Sequence, residues 1–463
     1  MLRLPFSLLS LLALSFFVRQ TNAGTVLDPL PENSTTRFGA ALVTLGDVNA
    51  DGVPDLAVAA PFQDGDFVST ERSYGKPQNV GKIFILDGAN FTLLNILTDP
   101  EFAVVQDLHF GGQLGSSLAV VGDLDGDGVN DLVAGVPHHV AEPESDESLK
   151  NAGKALVFSG QSGSLLLTLT DPTAEEDGKM GTAVAGIGDV DGDGTADLLV
   201  GAPGKDFGDD LSNVGLAYVY SGKTGSVIRT VNHPDDGGAE AGAAFGAAVA
   251  NAGDIDRDGV IDITIGAPGE GHVYVFSGKT GNLLFTIVSP FAEALPSFGA
   301  AVAGGKDFNR DGKVDIVVGS PAREDQQGAA YIFNGNDGSL QRTLLPAVRQ
   351  AFARFGASLC VSDDLTGDHR PDVAVGAPGQ NVNGLPQAGA ITIFNGRRGR
   401  VFQTLTSATP QPRSLFGTSV AAADFDGDRL ATVIAGTPNQ NATIDSGTGP
   451  VPHLEIGQIE IQP

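Results

Sequence analysis

Covalent cross-links are the first thing this sequence cannot have. It holds one cysteine, Cys360, in 463 residues, so no intramolecular disulfide forms. Basic residues are also scarce, 27 against 56 acids, for a formal charge of −29. That balance excludes nucleic acid and anionic membrane as partners, because both are bound through basic surface. Past the N-terminus no stretch approaches the roughly 20 apolar residues that a membrane helix needs. Helical periodicity is missing throughout. Tryptophan is absent.

Glycine, by contrast, is abundant at 63 residues, and 41% of the chain is apolar. Such a chain buries a large core and makes many tight turns, as an all-β fold requires. Residues 1–23 read as a secretory signal peptide. Arg3 supplies the positive start, Leu4 to Val18 is nearly all apolar, and Thr21-Asn22-Ala23 suits cleavage before Gly24. The expectation is a secreted, extracellular chain, with residues 24–463 as one domain. An exported domain without disulfides needs another source of rigidity. Asn33-Ser34-Thr35, Asn90-Phe91-Thr92 and Asn441-Ala442-Thr443 fit the glycosylation sequon, so a glycoprotein is expected in a eukaryotic host.

Internal repetition decides the fold. Seven units open on Phe-Gly or a variant: Phe38-Gly39, Leu114-Gly115, Met180-Gly181, Phe245-Gly246, Phe298-Gly299, Phe355-Gly356 and Phe416-Gly417. In the fourth unit, Ala247 to Ala252 reads as a first strand and Ile261 to Ile265 as a second. Val273 to Phe276 reads as a third and Leu283 to Val288 as a fourth. Gly266-Ala267-Pro268 stops the second strand, since proline cannot donate to a ladder. Equivalents recur at Gly135, Gly201, Gly319, Gly376 and Gly436, with Ala59-Ala60-Pro61 in the first unit. Four strands per unit make an antiparallel blade, and seven units make a seven-bladed β-propeller. The last unit reaches only a third strand, near Gly457 to Ile461. Thr25 to Leu27 resembles the end of a fourth strand, so the N-terminal strand is expected to complete the last blade and close the ring, leaving no major edge.

Between the first and second strands each unit carries Asp-x-(Asp/Asn)-x-Asp-Gly-x-x-Asp. Alternate oxygens in a tight loop converge on one centre, and hard oxygens in this number suit calcium. The glycine at position six permits a positive φ. Position seven offers a backbone carbonyl. The five complete sets are Asp47, Asn49, Asp51, Val53 and Asp55; Asp123, Asp125, Asp127, Val129 and Asp131; Asp189, Asp191, Asp193, Thr195 and Asp197; Asp254, Asp256, Asp258, Val260 and Asp262; and Asp307, Asn309, Asp311, Lys313 and Asp315. The sixth keeps Asp364, Thr366, Asp368 and Asp372 but has His369 at position six, which leaves it undecided. The seventh keeps Asp424, Asp426 and Asp428, has Arg429 at position six and Thr432 at position nine, and is expected to be empty. Strands flank these loops and no Glu stands at position twelve, so they are not EF-hands. Clustered carboxylates without a cation repel one another. Calcium is expected mainly as a structural brace.

Phe-Gly, the acidic loop and Gly-Ala-Pro in fixed order resemble the FG-GAP repeat of the integrin alpha chain N-terminal propeller. The resemblance covers essentially Gly24 to Pro463. It implies a seven-bladed propeller with calcium loops on one face, and an extracellular protein or glycan ligand on the opposite face, built from the strand 2–3 and 4–1 loops. Carried over, the longest such loops are Phe62 to Val80, His138 to Ala152 and Asn439 to Ile456. They hold Asp64, Asp66, Arg72, Tyr74, His138, His139 and Glu144.

Other signals are weaker. Gly222-Lys223-Thr224 and Gly278-Lys279-Thr280 resemble the end of a P-loop, but the earlier glycine and the following helix are missing. His138-His139 with Glu142 could hold a transition metal only if a loop turned both rings inward. Cys360 lies in an apolar run and reads as core. No nucleophile elbow and no His-Glu-x-x-His motif appears. An adhesion or binding module, not an enzyme, is therefore expected, and a monomer. The alternative is a lyase-like, polysaccharide-active enzyme, for which no convergent Lys, Tyr or His set is visible; a phospholipase D-like enzyme lacks its His-rich zinc domain.

Overall fold

The computed structural model describes residues 36–64, 79–101, 111–141, 149–208, 211–234, 240–291 and 297–439, with short strands at 17–21, 24–28, 68–69, 74–75, 441–442, 454–455 and 458–462. The protein is an all-β propeller of four-stranded antiparallel blades. In blade four the strands are Ala248–Gly253, Asp262–Ala267, His272–Phe276 and Leu283–Val288, paired in chain order. These lie within two residues of the expected bounds. Blade one begins at Leu42–Gly46, blade two at Leu118–Val120, blade three at Ala183–Gly188, blade five at Ala301–Lys306 and blade six at Ser358–Ser362.

Burial grades outward through each blade. The second strand is buried at every position, as in Asp197–Ala202 and Asp262–Ala267. Covered on both faces, it has no polar side and reads as a continuous apolar run. The fourth strand lies at the rim: Leu283–Val288 buries Ile287 and exposes Leu283, Thr286 and Val288. The cores sit between neighbouring blades. Ala57, Ile83 and Ile85 of blade one pack with Leu132, Leu156 and Phe158 of blade two.

The Phe-Gly openers are inter-blade clamps. Phe245 is fully buried and meets Phe276 edge to face, with ring centroids 6.0 Å apart. Phe38 meets Phe84, Phe298 meets Phe333 and Phe355 meets Phe394 at 5.5–5.9 Å. The Phe245 backbone N–H donates to the Val214 carbonyl of the preceding blade at 2.8 Å, and the Gly246 N–H to Gly266 of its own at 3.0 Å. In turn, a Cβ on Gly266 would overlap the Gly299 carbonyl of the next blade. The same conflict arises for Gly135 against Gly181, Gly201 against Gly246, Gly319 against Gly356 and Gly376 against Gly417. The Gly-x-Pro motif is thus more than a strand stop. The strand runs through Gly266 and Ala267, and the glycine exists because another backbone touches it.

Six four-stranded blades stand among the described residues, against the seven expected. The seventh unit instead contributes to a sheet of five strands, in the order Phe17–Thr21, Gly24–Asp28, Gln458–Gln462, Thr432–Thr437, Val420–Ala423. The count departs because Phe17–Thr21, within the stretch read as a leader, adds an edge strand against Gly24–Asp28. Gly24–Asp28 runs antiparallel to Gln458–Gln462, with Thr25 opposite Ile461, Val26 opposite Glu460 and Leu27 opposite Ile459. Ala421 and Ile434 of this sheet pack with Phe38, Leu42 and Phe84 of blade one. The Ser419 hydroxyl donates to the Gly39 carbonyl at 2.7 Å, as Ser117 does to Gly181 and Ser358 to Gly417 at 2.8 Å.

A Cβ on Gly436 would overlap the Gly39 carbonyl. Gly436→Ala should therefore destabilise the protein by about 1–3 kcal/mol, the usual cost of overpacking. Denaturant unfolding measures this, and an unchanged midpoint would show that the two sheets do not bear on one another.

Candidate metal-binding loops

Each acidic loop is folded by its own carboxylates. The position-one aspartate accepts the backbone N–H of position six: Gly52 to Asp47 at 2.8 Å, Gly128 to Asp123 at 2.8 Å, Gly194 to Asp189 at 2.9 Å, Gly259 to Asp254 at 3.0 Å and Gly312 to Asp307 at 2.8 Å. Position three accepts from position five, as Asp127 to Asp125 at 3.1 Å and Asp311 to Asn309 at 2.8 Å. Position five accepts from position seven: Val53 to Asp51, Val129 to Asp127, Thr195 to Asp193, Val260 to Asp258 and Lys313 to Asp311, all at 2.8–2.9 Å. The position-one carboxylates accept up to three backbone N–H groups each in loops two, three and five, and four in loop six.

The position-nine aspartate has a different task. Asp55, Asp131, Asp197, Asp262, Asp315 and Asp372 are fully buried. One oxygen accepts from position two, as Val48 to Asp55 and Ile255 to Asp262 at 2.7 Å. The other accepts from the turn between strands three and four, as Gly88 to Asp55 at 2.8 Å and Gly278 to Asp262 at 3.0 Å. One side chain thereby ties the loop, the second strand and the neighbouring hairpin. Burial holds all six carboxyls above the ordinary aspartate range, against the hydrogen bonds that lower them. Asp315 is pushed up to about 6.

Side-chain oxygens of three acids come within 4.8 Å of one another in five loops. The sets are Asp123, Asp125 and Asp127; Asp189, Asp191 and Asp197; Asp254, Asp256 and Asp262; Asp364, Asp368 and Asp372; and Asp424, Asp426 and Asp428. Loops one and five form no such triplet of acids; each has an amide, Asn49 or Asn309, at position three. Loops six and seven do gather their acids, although both lack the position-six glycine. His369 and Arg429 take the left-handed conformation there, at φ 58° and 71°, and their N–H groups still reach Asp364 at 2.7 Å and Asp424 at 2.8 Å. Burial pulls Asp364 up, but N–H groups of His369, Gly367, Thr366 and Asp368 outweigh it and leave its carboxyl below the usual range.

Position four is left-handed as well, which the sequence pattern did not disclose. Ala50, Arg257 and Arg310 adopt positive φ there, at 62–65°, beside glycines in the other loops. A divalent cation fits the donor set. All donors are hard oxygens. Among the described residues, Lys223 is the only lysine or arginine within 4 Å of a carboxylate at position one, three or five, 3.9 Å from Asp193. Lys223 and Lys279 sit in hairpin turns and donate to the Asp193 and Asp258 carbonyls at 3.3 Å, a role in loop support that leaves nothing of a P-loop.

The opposite end holds buried polar stations that sequence reasoning missed. Lys154 pairs with Asp99 at 3.0 Å, and Lys205 with Asp171 at 3.1 Å. In blade four, Glu270 accepts from Tyr274 at 2.6 Å and lies 2.9 Å from His233. Burial raises the Glu270 carboxyl, yet the bonds from His233 and Tyr274 leave it below its ordinary value. The recurring Asp-Pro after the fourth strand (Asp99, Asp171) was the available signal. His138 bonds Asn151 at 2.9 Å, while burial, aided by Lys154, lowers His139 to about 4; the two histidines share no metal cluster among the described residues. Asp64 accepts from the Asn79 N–H at 3.2 Å. Asp66, Arg72, Glu142 and Glu144 lie outside the described residues, as does Asn33; for Tyr74 and Asn441 only the backbone is described. Asn90 is exposed in a turn. The Cys360 thiol is pushed up to about 12 by burial among apolar neighbours.

Phe-Gly clamps, acidic hairpin loops and Gly-x-Pro contacts, in that order and repeated from blade to blade, define a propeller of FG-GAP repeats. The FG-GAP repeat family matches residues 38–86, 114–158, 180–220, 298–333 and 355–394, and the chain is an integrin alpha-like FG-GAP repeat protein. It is 33% identical over 222 residues to mouse (Mus musculus) integrin alpha-2, covering 44% of this chain and 18% of that one. To chicken (Gallus gallus) integrin alpha-V it is 32% identical over 242 residues, 49% of this chain and 21% of the relative. To human (Homo sapiens) integrin alpha-IIb it is 32% identical over 239 residues, 50% of this chain and 21% of the relative. The matches thus span about a fifth of the length of these curated relatives.

Two measurements test the loops. Asp254→Ala should lower the calcium stoichiometry by one in equilibrium dialysis and leave the other loops loaded. The calcium-stripped protein should also become more stable as pH falls from 7 toward 5. The raised position-nine carboxyls take up protons in the folded state that the unfolded chain does not bind; for Asp315 this window runs from about 6 down to the ordinary aspartate value of about 3.9. With calcium bound, protons compete with the cation and the trend reverses. Melting curves at pH 5, 6 and 7, with and without calcium, check both signs.

Proposed function

We propose that this protein is a secreted, monomeric adhesion module, a closed propeller of seven blades that presents an extracellular protein or glycan to its 2–3 and 4–1 loop face. The observation that carries the reading is the recurrence of one acidic hairpin loop in an integrin alpha-like repeat array. The five-stranded sheet serves as the seventh blade. Val420–Ala423 touches the first strands of blades six and one, as the other first strands touch their neighbours. Removal of residues 1–23 takes away Phe17–Thr21 and leaves four strands there, with Gly24–Asp28 closing the ring.

Calcium is the cation, and the clustered acids of the loops hold it. When bound it supplies positive charge where three or four carboxylates converge and cross-links each hairpin, in place of disulfides. The protein itself excludes water from position nine, fixes the loop backbone and keeps the blades in contact. No catalytic set converges among the described residues, so the activity proposed is binding alone.

An array of glycans and extracellular matrix proteins, probed in calcium, should yield a ligand whose binding falls when residues of the loop face are changed. Excess chelator should lower the melting temperature by several degrees. β-Elimination of uronic-acid polymers by the purified protein would falsify the binding-only reading.

A further inference from the structure

On the calcium-loop face, between blades five and six, lies a cavity of about 730 Å³ lined by Arg310, Arg342, Arg370, Arg397, Arg398 and Arg400, with Phe308 and Asn309. We propose that it binds a small ligand carrying several sulfate or phosphate groups, such as a sulfated or phosphorylated sugar.

The charge distribution is the first argument. In a chain of net charge −29, guanidinium groups have ample carboxylates to pair with. Among the described residues none of these six forms an ion pair with one. Six like charges around one opening repel, and that cost is relieved by an anion. Arg310, Arg397, Arg398 and Arg400 are exposed and Arg370 is half-buried, so their donors can turn inward, while Arg342 donates to the Gln341 and Arg397 carbonyls.

Construction is the second argument. The turn between strands three and four reads Ser-Gly-Lys-Thr-Gly in blades three and four, and Asn-Gly-Asn-Asp-Gly in blade five. In blade six it reads Asn395-Gly396-Arg397-Arg398-Gly399, followed by Arg400. Arg342 reaches from the rim strand of blade five and donates to the Arg397 carbonyl at 3.0 Å, which fixes that turn. Arg229 does the same for the next blade's turn, donating to Gly278 and Lys279 at 2.8 and 3.0 Å, without a cluster of arginines there. Arg342 is therefore a positioning residue, and Arg310, Arg370, Arg397, Arg398 and Arg400 are the ligand-facing ones. Arg310 is position four of loop five and Arg370 position seven of loop six, so two rigid loops and one braced hairpin set the spacing. Planar guanidiniums match tetrahedral oxyanions with paired N–H donors.

Size and surroundings select a compact ligand. The volume lies within the range of small-molecule pockets, about 300–1,000 Å³. Acidic loops five and six line the cleft and loop seven, with Asp424, Asp426 and Asp428, is bonded to loop six through the Ala431 N–H and the Asp364 carbonyl, so a long polyanion would meet carboxylates beyond the cleft.

The test titrates the full chain, in calcium and at physiological salt, with a fully sulfated heparin tetrasaccharide, with inositol hexakisphosphate, and with the desulfated tetrasaccharide. Binding of either charged probe, but not the desulfated one, is expected. A preference between the two assigns sulfate or phosphate as the natural group. Arg397→Ala/Arg398→Ala/Arg400→Ala should weaken binding at least about thirty-fold, or about 2 kcal/mol, with an unchanged melting curve. The matching lysine replacements should recover part of the loss. Lys223→Ala/Lys279→Ala, in the same turns of blades three and four, should leave binding intact. The proposal is overturned if neither charged probe binds, if the desulfated sugar binds as well, or if both sets of variants weaken binding equally. It is also overturned if sedimentation shows a dimer that the arginine variant dissolves, since the cleft would then be filled by the acidic surface of a second copy. Should the triple variant melt early, Arg398→Glu alone carries the test, because its side chain is exposed.

Discussion

A buried aspartate in each of the six four-stranded blades holds the acidic-loop face together. At position nine its two oxygens are both occupied by backbone N–H groups, one from the loop and one from the next hairpin, as Asp262 does with Ile255 and Gly278. Without it the loop would lose its anchor to the second strand, and the turn between strands three and four would lose its side-chain tie to that strand. Because the residue is fully enclosed, its charge is costly to maintain, and a nearby cation lowers that cost. The fold therefore stores an unfavourable charge at six of the loops, one that a divalent ion would relieve. The one unit that lacks this acid, with Thr432 in its place, instead leans on its neighbour: the Ala431 N–H donates to the Asp364 carbonyl of loop six at 2.9 Å.

Much of the architecture was legible in the primary structure, and for identifiable reasons. Short β-branched runs between Gly, Pro and Asp punctuation gave the strands of blade four within two residues, because tight turns join its strands. The acidic loops were legible because alternate oxygens converge only at that spacing. Three features were not. The Gly-x-Pro glycine looked like a strand terminator, since nothing local says that Gly299 of another blade lies against Gly266. At loops six and seven the sequence did not disclose that hydrogen bonds to Asp364 and Asp424 hold His369 and Arg429 at positive φ where the other loops have glycine. The buried pairs Lys154–Asp99 and Lys205–Asp171 join residues more than thirty positions apart, so the recurring Asp-Pro marks the acids but nothing local names their lysine partners.

Those pairs bear on the opposite end. Buried ion pairs contribute little net stability, yet removing one partner costs about 3–5 kcal/mol. Their value here is placement. Lys154 opens the third strand of blade two and Asp99 lies two residues past the fourth strand of blade one, Leu93–Leu97, so the pair links adjacent blades at the end that carries the 2–3 and 4–1 loops. Buried ion pairs thus join neighbouring blades at that end, while apolar packing joins them in the cores.

The arginine cleft makes the molecule electrically lopsided. Most of its surface turns negatively charged solutes away, and one sector between blades five and six draws them in. A protein so polarised orients in the field of whatever it approaches, presenting that sector to anionic surroundings. The pull fades beyond a screening length of about 8 Å in physiological salt, so it acts at the last moment of encounter and gives way in brine.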